Sequence, residues 1–161
     1  MTHSEFLAAR LEEVLLNGRW IANTNYQDQL KFIKRREALL QVDSLNSIAA
    51  LTYHINYYLA GILNVFYGGN LEIKDANSFD MPPINSEEDW TGLKETLFAN
   101  AQKFIKKVNS MTDHQLNAVF VEEKYGSYQH NIEGVVEHCY YHLGQIVLIN
   151  KLLKVKRLQD Q

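Results

Sequence analysis

The chain has 161 residues, 46% of them apolar and 22% charged, with 16 Lys and Arg against 19 Asp and Glu for a net charge of −3. That is room for one domain with a self-sufficient core, and the charge balance excludes a general binder of nucleic acid or anionic membrane, which needs a basic excess. Two prolines and eight glycines exclude a disordered chain or a many-turned β-sandwich, and the single cysteine, Cys139, excludes an internal disulfide or a Cys-rich zinc module.

The N-terminal segment MTHSEFLAARLEEVL has no basic start, apolar run or small-residue cleavage site, so a cytoplasmic protein is expected. A first helix is predicted over residues 2–16. Thr2 and Glu5 have capping-box spacing, Leu7, Leu11 and Val14 recur at helical spacing, and Asn17-Gly18 is a stop signal. Residues 19–43 are mixed. Short helices over Tyr26–Leu30 and Arg35–Leu40 fit the pattern, and Trp20 and Ile21 are expected to tuck into the core end.

A second helix is predicted over residues 44–67, with Ser44 as the N-cap candidate and Gly68-Gly69 as the stop. Its stripe is Ile48, Thr52, Ile55, Leu59, Ile62 and Phe66. From Ser44 to Leu71 there is no Asp, Glu, Lys or Arg. Asn46, Ser47, Thr52, His54, Asn56 and Asn64 interrupt that run, so a helix covered by protein explains the missing charge better than a membrane span. Residues 70–85 form a connection containing Pro82-Pro83.

Ser86 caps a third helix, residues 86–108, with Trp90, Leu93, Leu97, Ala101, Phe104 and Val108 on its inner face. Residues 109–130 are a second long connection. Within it Thr112 and Gln115 have the spacing to cap one short turn, residues 119–121 are briefly extended, and Gly126 sits in a turn. The segment around Glu122, Glu123, Lys124 and Tyr125 is most simply a solvated loop; its functional alternative is a cover that supplies a polar group to a site. A fourth helix is predicted over residues 131–153, capped by Asn131. Val135, Cys139, His142, Ile146, Ile149 and Leu153 form its buried stripe, and a polar tail from Lys154 frays. Four apolar stripes without a strand-period segment predict an all-α four-helix bundle with long connections, one domain over 1–161.

Six histidines are the chemically informative residues. His138 and His142 stand i, i+4 on the fourth helix, which puts both imidazoles on one face about one turn apart. His54 lies in the charge-free second helix. An up-down-up path makes these two helices parallel and brings the three rings to one height, which an antiparallel pairing would match less well. Three neutral imidazoles without a carboxylate suit zinc, nickel or iron and leave a coordination position for water or substrate. Gln145, Glu137, Asn56, Tyr57 and Tyr141 are the candidates to orient the ligands or line the pocket. His3, His114 and His130 fall at a terminus or in loops and are read as bystanders, although His130 can approach the mouth. Cys139 points about 100° away from His138 and is read as a core residue.

The run EHCYYHLGQIVLI, with His54 in SIAALTYHINYY upstream, resembles the DinB/YfiT-like superfamily of metalloenzymes from about Ser44 to Leu153. Members are four-helix bundles holding a metal on one histidine of helix 2 and two of an HxxxHxGQ motif on helix 4. The resemblance assigns those roles to His54, His138 and His142, with Gly144 and Gln145 completing the motif. Leu143 departs from it, standing where many members carry Arg, so chemistry that relies on that charge does not carry over. The resemblance implies a metal-dependent transferase or isomerase working with a low-molecular-weight thiol as cosubstrate, and commonly a homodimer; a metal that activates water makes a hydrolase acting on a small molecule the other enzymatic expectation. The alternative is a non-catalytic metal-binding or dimeric stress-response bundle.

Overall fold

The computed structural model describes residues 1–159, with side chains through Val155. It is all-helical. Among the described residues seven α-helices are formed: α1 (His3–Glu12), α2 (Tyr26–Leu30), α3 (Arg35–Ala38), α4 (Ile48–Phe66), α5 (Glu87–Asn109), α6 (Asp113–Asn117) and α7 (Tyr128–Gln159). Among the described residues the only extended pairing is an isolated antiparallel bridge, Val119 with Ser127.

The four long helices pack in a ring, α1 on α5, α5 on α4, α4 on α7 and α7 on α1. Their inward stripes are the expected ones: Leu7, Leu11 and Val14, the α4 series from Ile48 to Phe66, Trp90 to Val108, and Val135 to Leu153 are buried, with Leu93 alone half-buried. Leu143 is also in this core. The Thr2–Glu5 capping box opens α1 as expected, and α1 ends in one π turn, Glu13–Asn17, before Gly18.

Four expectations fail at helix ends. Trp20 and Ile21 are 89% and 54% exposed. The chain turns at 19–23, where Asn23 adopts φ 55° and donates its N–H to the Arg19 carbonyl at 2.8 Å. Tyr26, Leu30 and Ile33 plug the core instead, and the Tyr26 hydroxyl donates to the Cys139 carbonyl at 2.9 Å. Helix α4 is capped by Ser47, whose Oγ accepts from Ala50 N–H at 3.1 Å, not by Ser44. Residues 42–45 are spent on a turn, with Asp43 at φ 48° and Leu45 N–H donating to Val42 C=O at 2.9 Å. Helix α7 starts at Tyr128, not at Asn131, because Ser127 Oγ accepts from His130 N–H at 3.1 Å. Asn131 is a first-turn residue that laces back, donating to the carbonyls of Tyr125 and Ser127 at 2.7 and 2.8 Å. At its other end α7 continues through Gln159 instead of fraying after Leu153; residues 160–161 of that tail lie outside the described residues.

The larger difference is direction. Phe66 stacks on Tyr128 with ring centroids 5.7 Å apart, and Leu51 shares a cleft with Gln145 and Ile149. Helices α4 and α7 are therefore antiparallel, not parallel. The cause is the connection between α4 and α5. Gly68 and Gly69 close α4 on the carbonyls of Val65 and Asn64, and the chain then runs back along α4. Its Lys74 lies against Tyr57, its Asp75 against Tyr58 and its Ser78 against His54. Gly61 permits this close passage, since a Cβ there would overlap the Ile73 side chain. The connection ends where Arg35 donates to the Ile84 carbonyl at 2.9 Å and to the Glu87 carboxylate at 3.0 Å. Helix α5 therefore starts beside the start of α4 and runs the same way, and α7 must return.

Candidate metal centre

Antiparallel packing still levels the histidines. His54 lies 12 residues before Phe66 at the end of α4; His138 and His142 lie 10 and 14 residues after Tyr128 at the start of α7. At about 1.5 Å per residue these are matching heights from the shared end. The three rings meet with centroids 4.6–4.9 Å apart and nearly perpendicular planes. Each offers one nitrogen, and those nitrogens lie within 4.8 Å of one another. His54 Nε2 and His138 Nε2 are 3.0 Å apart.

These distances fit a metal. Ligand nitrogens at about 2.0–2.1 Å from a tetrahedral zinc stand about 3.3–3.4 Å apart. The observed spread, from 3.0 Å to at most 4.8 Å, brackets that separation. The hydrogen-bond partners set the tautomers. His54 Nδ1 faces the Ser78 carbonyl at 3.3 Å, and His142 Nδ1 faces Gln145 Oε1 at 2.8 Å. A carbonyl or amide oxygen can only accept, so both Nδ1 atoms carry the proton and both Nε2 atoms keep a lone pair. The 3.0 Å separation is a hydrogen bond when His138 carries its proton on Nε2; moving that proton to Nδ1 turns the third lone pair inward.

Burial lowers the pKa of all three rings. For His138 desolvation, then the neighbouring His142 and His54, brings it down to about 4. Desolvation also leads for His54, with His142 adding to it, and for His142, where the Gln145 hydrogen bond pulls weakly the other way. The rings are thus neutral, the protonation state a metal requires.

Comparison of the chain with protein-family models, with curated proteins and with solved structures finds no match. The chemistry has to be read from the residues around the rings.

Of the expected supporting residues, Gln145 alone bonds a histidine directly. Tyr141 packs edge-on against His142 at 4.9 Å between ring centroids, on the exposed side. Asn56 turns to α5, where its Oδ1 accepts from Asn100 at 2.9 Å. Glu137 is exposed and makes no hydrogen bond to any of the three rings. Tyr57 is occupied by Lys74, donating to its carbonyl at 3.1 Å and accepting from its N–H at 2.8 Å.

The residues that sequence reasoning missed come from the connection between α4 and α5. Phe79 stacks on His54 at 4.1 Å with a 12° interplanar angle, and Ser78 supplies the carbonyl. Tyr58 stands edge-on to both His54 and His138, at 5.1 and 5.0 Å. Its hydroxyl donates to Asp75 Oδ1 at 2.6 Å. Desolvation, reinforced by Asp75, pushes Tyr58 up to about 12, so it remains a protonated donor. Nothing in the spacing of residues 70–85 marks Ser78 or Phe79; only the charge-free surface of α4 hints that something covers it.

The remaining histidines divide. His3 and His114 are exposed and remote from the three rings. His130 lines a cleft of about 490 Å³ that also contains Tyr58 and His138. A second cleft of about 490 Å³, between α2 and α5, holds none of the histidines. Cys139 is a core residue as expected; burial pushes its thiol up to about 12. No helix among the described residues is long and apolar enough to cross a membrane.

Proposed function

We propose that the chain is a metal-dependent enzyme of the DinB-like four-helix-bundle type, holding one divalent ion on His54, His138 and His142 to act on a small molecule. The observation that carries this reading is the convergence of three neutral imidazole nitrogens within 4.8 Å, from two helices, beside a cleft that reaches His138. When bound, zinc, nickel or iron supplies a Lewis acid that activates water or a small thiol for transfer or hydrolysis.

The chain's own residues do the rest. Ser78 and Gln145 hold two ligand tautomers, and Phe79 keeps water from one face of His54. Tyr58 keeps a proton on its hydroxyl, held by Asp75, at the edge of the cleft. Leu143 in the core supplies no charge here, so any stabilisation of a developing anion falls to Tyr58 or to the cleft wall.

The test is elemental analysis of the wild type and of His54→Ala, His138→Ala and His142→Ala, followed by a screen of thiols with electrophiles, with and without metal. About one metal per wild-type chain and a marked loss in each variant are expected; a metal-free wild type sinks the assignment. The non-catalytic alternative has one observation in its favour. Tyr141, Leu148, Leu152 and Val155 are exposed on one side of α7, a stripe suited to a homodimer. Metal retention with no turnover of any thiol or ester, in a dimer lost on Leu148→Glu, would favour it.

A further inference from the structure

The cleft at His138 has a built wall that the metal reading does not use. It runs along α7 past His130, Gly134 and His138, an i, i+4, i+8 ladder about 12 Å long. Gly134 leaves its middle open: a Cβ there would meet nothing within 4 Å. Ile62 and Val135 give it an apolar floor, and Tyr58 stands at the His138 end. Lys124 and Tyr125 close the other end, from the connection between α6 and α7.

That connection is fixed rather than loose. Phe120 plugs the core beneath it. Phe120 N–H donates to the Gly126 carbonyl at 2.8 Å, and Tyr128 N–H to the Ala118 carbonyl at 3.1 Å. Between these ties, Val121 sits at φ 53°, an unfavourable place for a β-branched residue. Glu122 N–H closes the turn on the Phe120 carbonyl at 2.5 Å. Gly126 is at φ 72°, and a Cβ on it would stand 3.1 Å from the His130 ring. The strained turn and the packed glycine place Lys124 and His130 together at one end of the cleft.

The Lys124 ammonium bonds Glu122 at 3.0 Å and lies over the Tyr125 ring. Both partners of that ion pair are largely exposed, and such a pair exchanges its anion at little cost. The cleft offers no carboxylate of its own. We propose that it is the substrate site, and that it takes an elongated small molecule with an anionic group, such as a carboxylate, against Lys124 and His130 and a metal-seeking donor atom at His138. The anion displaces Glu122 from Lys124, and the apolar body lies over Gly134. The donor-atom end rests on the metal reading above; the anionic end does not.

The experiment titrates zinc-loaded and metal-free protein with mercaptohexanoate and with its uncharged amide, following backbone amides by NMR. Shifts are expected at Lys124 and Gly134, and the acid should bind zinc-loaded protein about threefold or more tightly than the amide. Lys124→Met should erase that preference while retaining zinc. Gly134→Leu, whose Cβ has no neighbour within 4 Å and whose side chain occupies the groove, should weaken both ligands. Equal binding of acid and amide to the wild type, a preference that survives Lys124→Met, or shifts confined to other surfaces would overturn the proposal. If the wild type takes up no zinc, the metal reading fails separately, and the acid-to-amide preference on metal-free protein decides this one by the same criteria.

Discussion

Replacing Gln145 by Met tests the centre without touching a ligand. The side chains are similar in length, but the thioether loses the oxygen that accepts from His142 Nδ1 at 2.8 Å. The imidazole is then free to rotate and to move its proton to Nε2, which would abolish the inward lone pair. Loss of such an outer partner weakens metal affinity by about 10–100-fold, or about 1.4–2.7 kcal/mol. The consequence for stability follows by linkage. At a metal concentration of about 100 times the wild-type Kd, binding stabilises the wild type by about 2.7 kcal/mol, and the variant by only about 0.4–1.4 kcal/mol. For a domain of this size that is a metal-induced Tm rise of about 5–11 °C in the wild type and about 1–6 °C in Gln145→Met. Differential scanning fluorimetry with and without zinc reads the rise. Competition against a chromophoric chelator reads the affinity itself. Comparing each protein with its own metal-free form removes any effect of the substitution on the fold. A variant that binds zinc as tightly as the wild type would refute the claim that Gln145 sets the His142 tautomer.

Three further outcomes are expected. Metal-free protein should lose stability as pH falls from about 6.5 towards about 4, because the unfolded histidines take up protons in that window while His138 resists protonation down to about 4; a flat Tm across that window in chelator-treated protein contradicts the burial of the rings. Gly61→Val should cost about 1–3 kcal/mol in urea unfolding, since its side chain needs the space of Ile73, and should also weaken zinc binding by shifting Ser78 away from His54; an unchanged zinc affinity would show that this connection does not position the ligand. Cys139, buried and with its thiol near 12, should resist disulfide exchange reagents in the native state and react stoichiometrically in denaturant, with fast native labelling as the contrary result.

Much of this centre was legible in the sequence, because its main signals are local. The i, i+4 spacing of His138 and His142 fixes their common face whatever the helix packs against. The stripes of α1, α4, α5 and α7 reappear as the core for the same reason. What was not legible depends on partners distant in sequence. Ser44 and Asn131 have cap chemistry, yet Ser47 and Ser127 cap the helices because turns before them decide where helical geometry begins. Trp20 and Ile21 look like core on composition, but Tyr26, Leu30 and Ile33 occupy that end. Asn56 and Tyr57 stand within a turn of His54, yet each is bonded to a different element, Asn100 and Lys74.

The direction of α7 is the instructive case. Ring height follows the helix bounds: with starts at 44 and 131, His54 stands 10 residues in against 7 and 11, which favours parallel packing, whereas the observed ends put it 12 residues before Phe66 against 10 and 14 after Tyr128, which favours antiparallel. The connection between α4 and α5 chooses. Because it travels back along α4, it makes α5 follow the direction of α4 and leaves α7 to return antiparallel. The same passage lays Asp75, Ser78 and Phe79 on the face that carries His54. Helix direction and ligand support are therefore one structural fact. A short turn at Gly68-Gly69 would instead send α5 back against α4 and leave His54 without its carbonyl partner or its aromatic cover. The charge-free α4 surface, including Gly61, is what makes that passage possible, and it ties the unusual composition of residues 44–71 to the metal site as well as to the core.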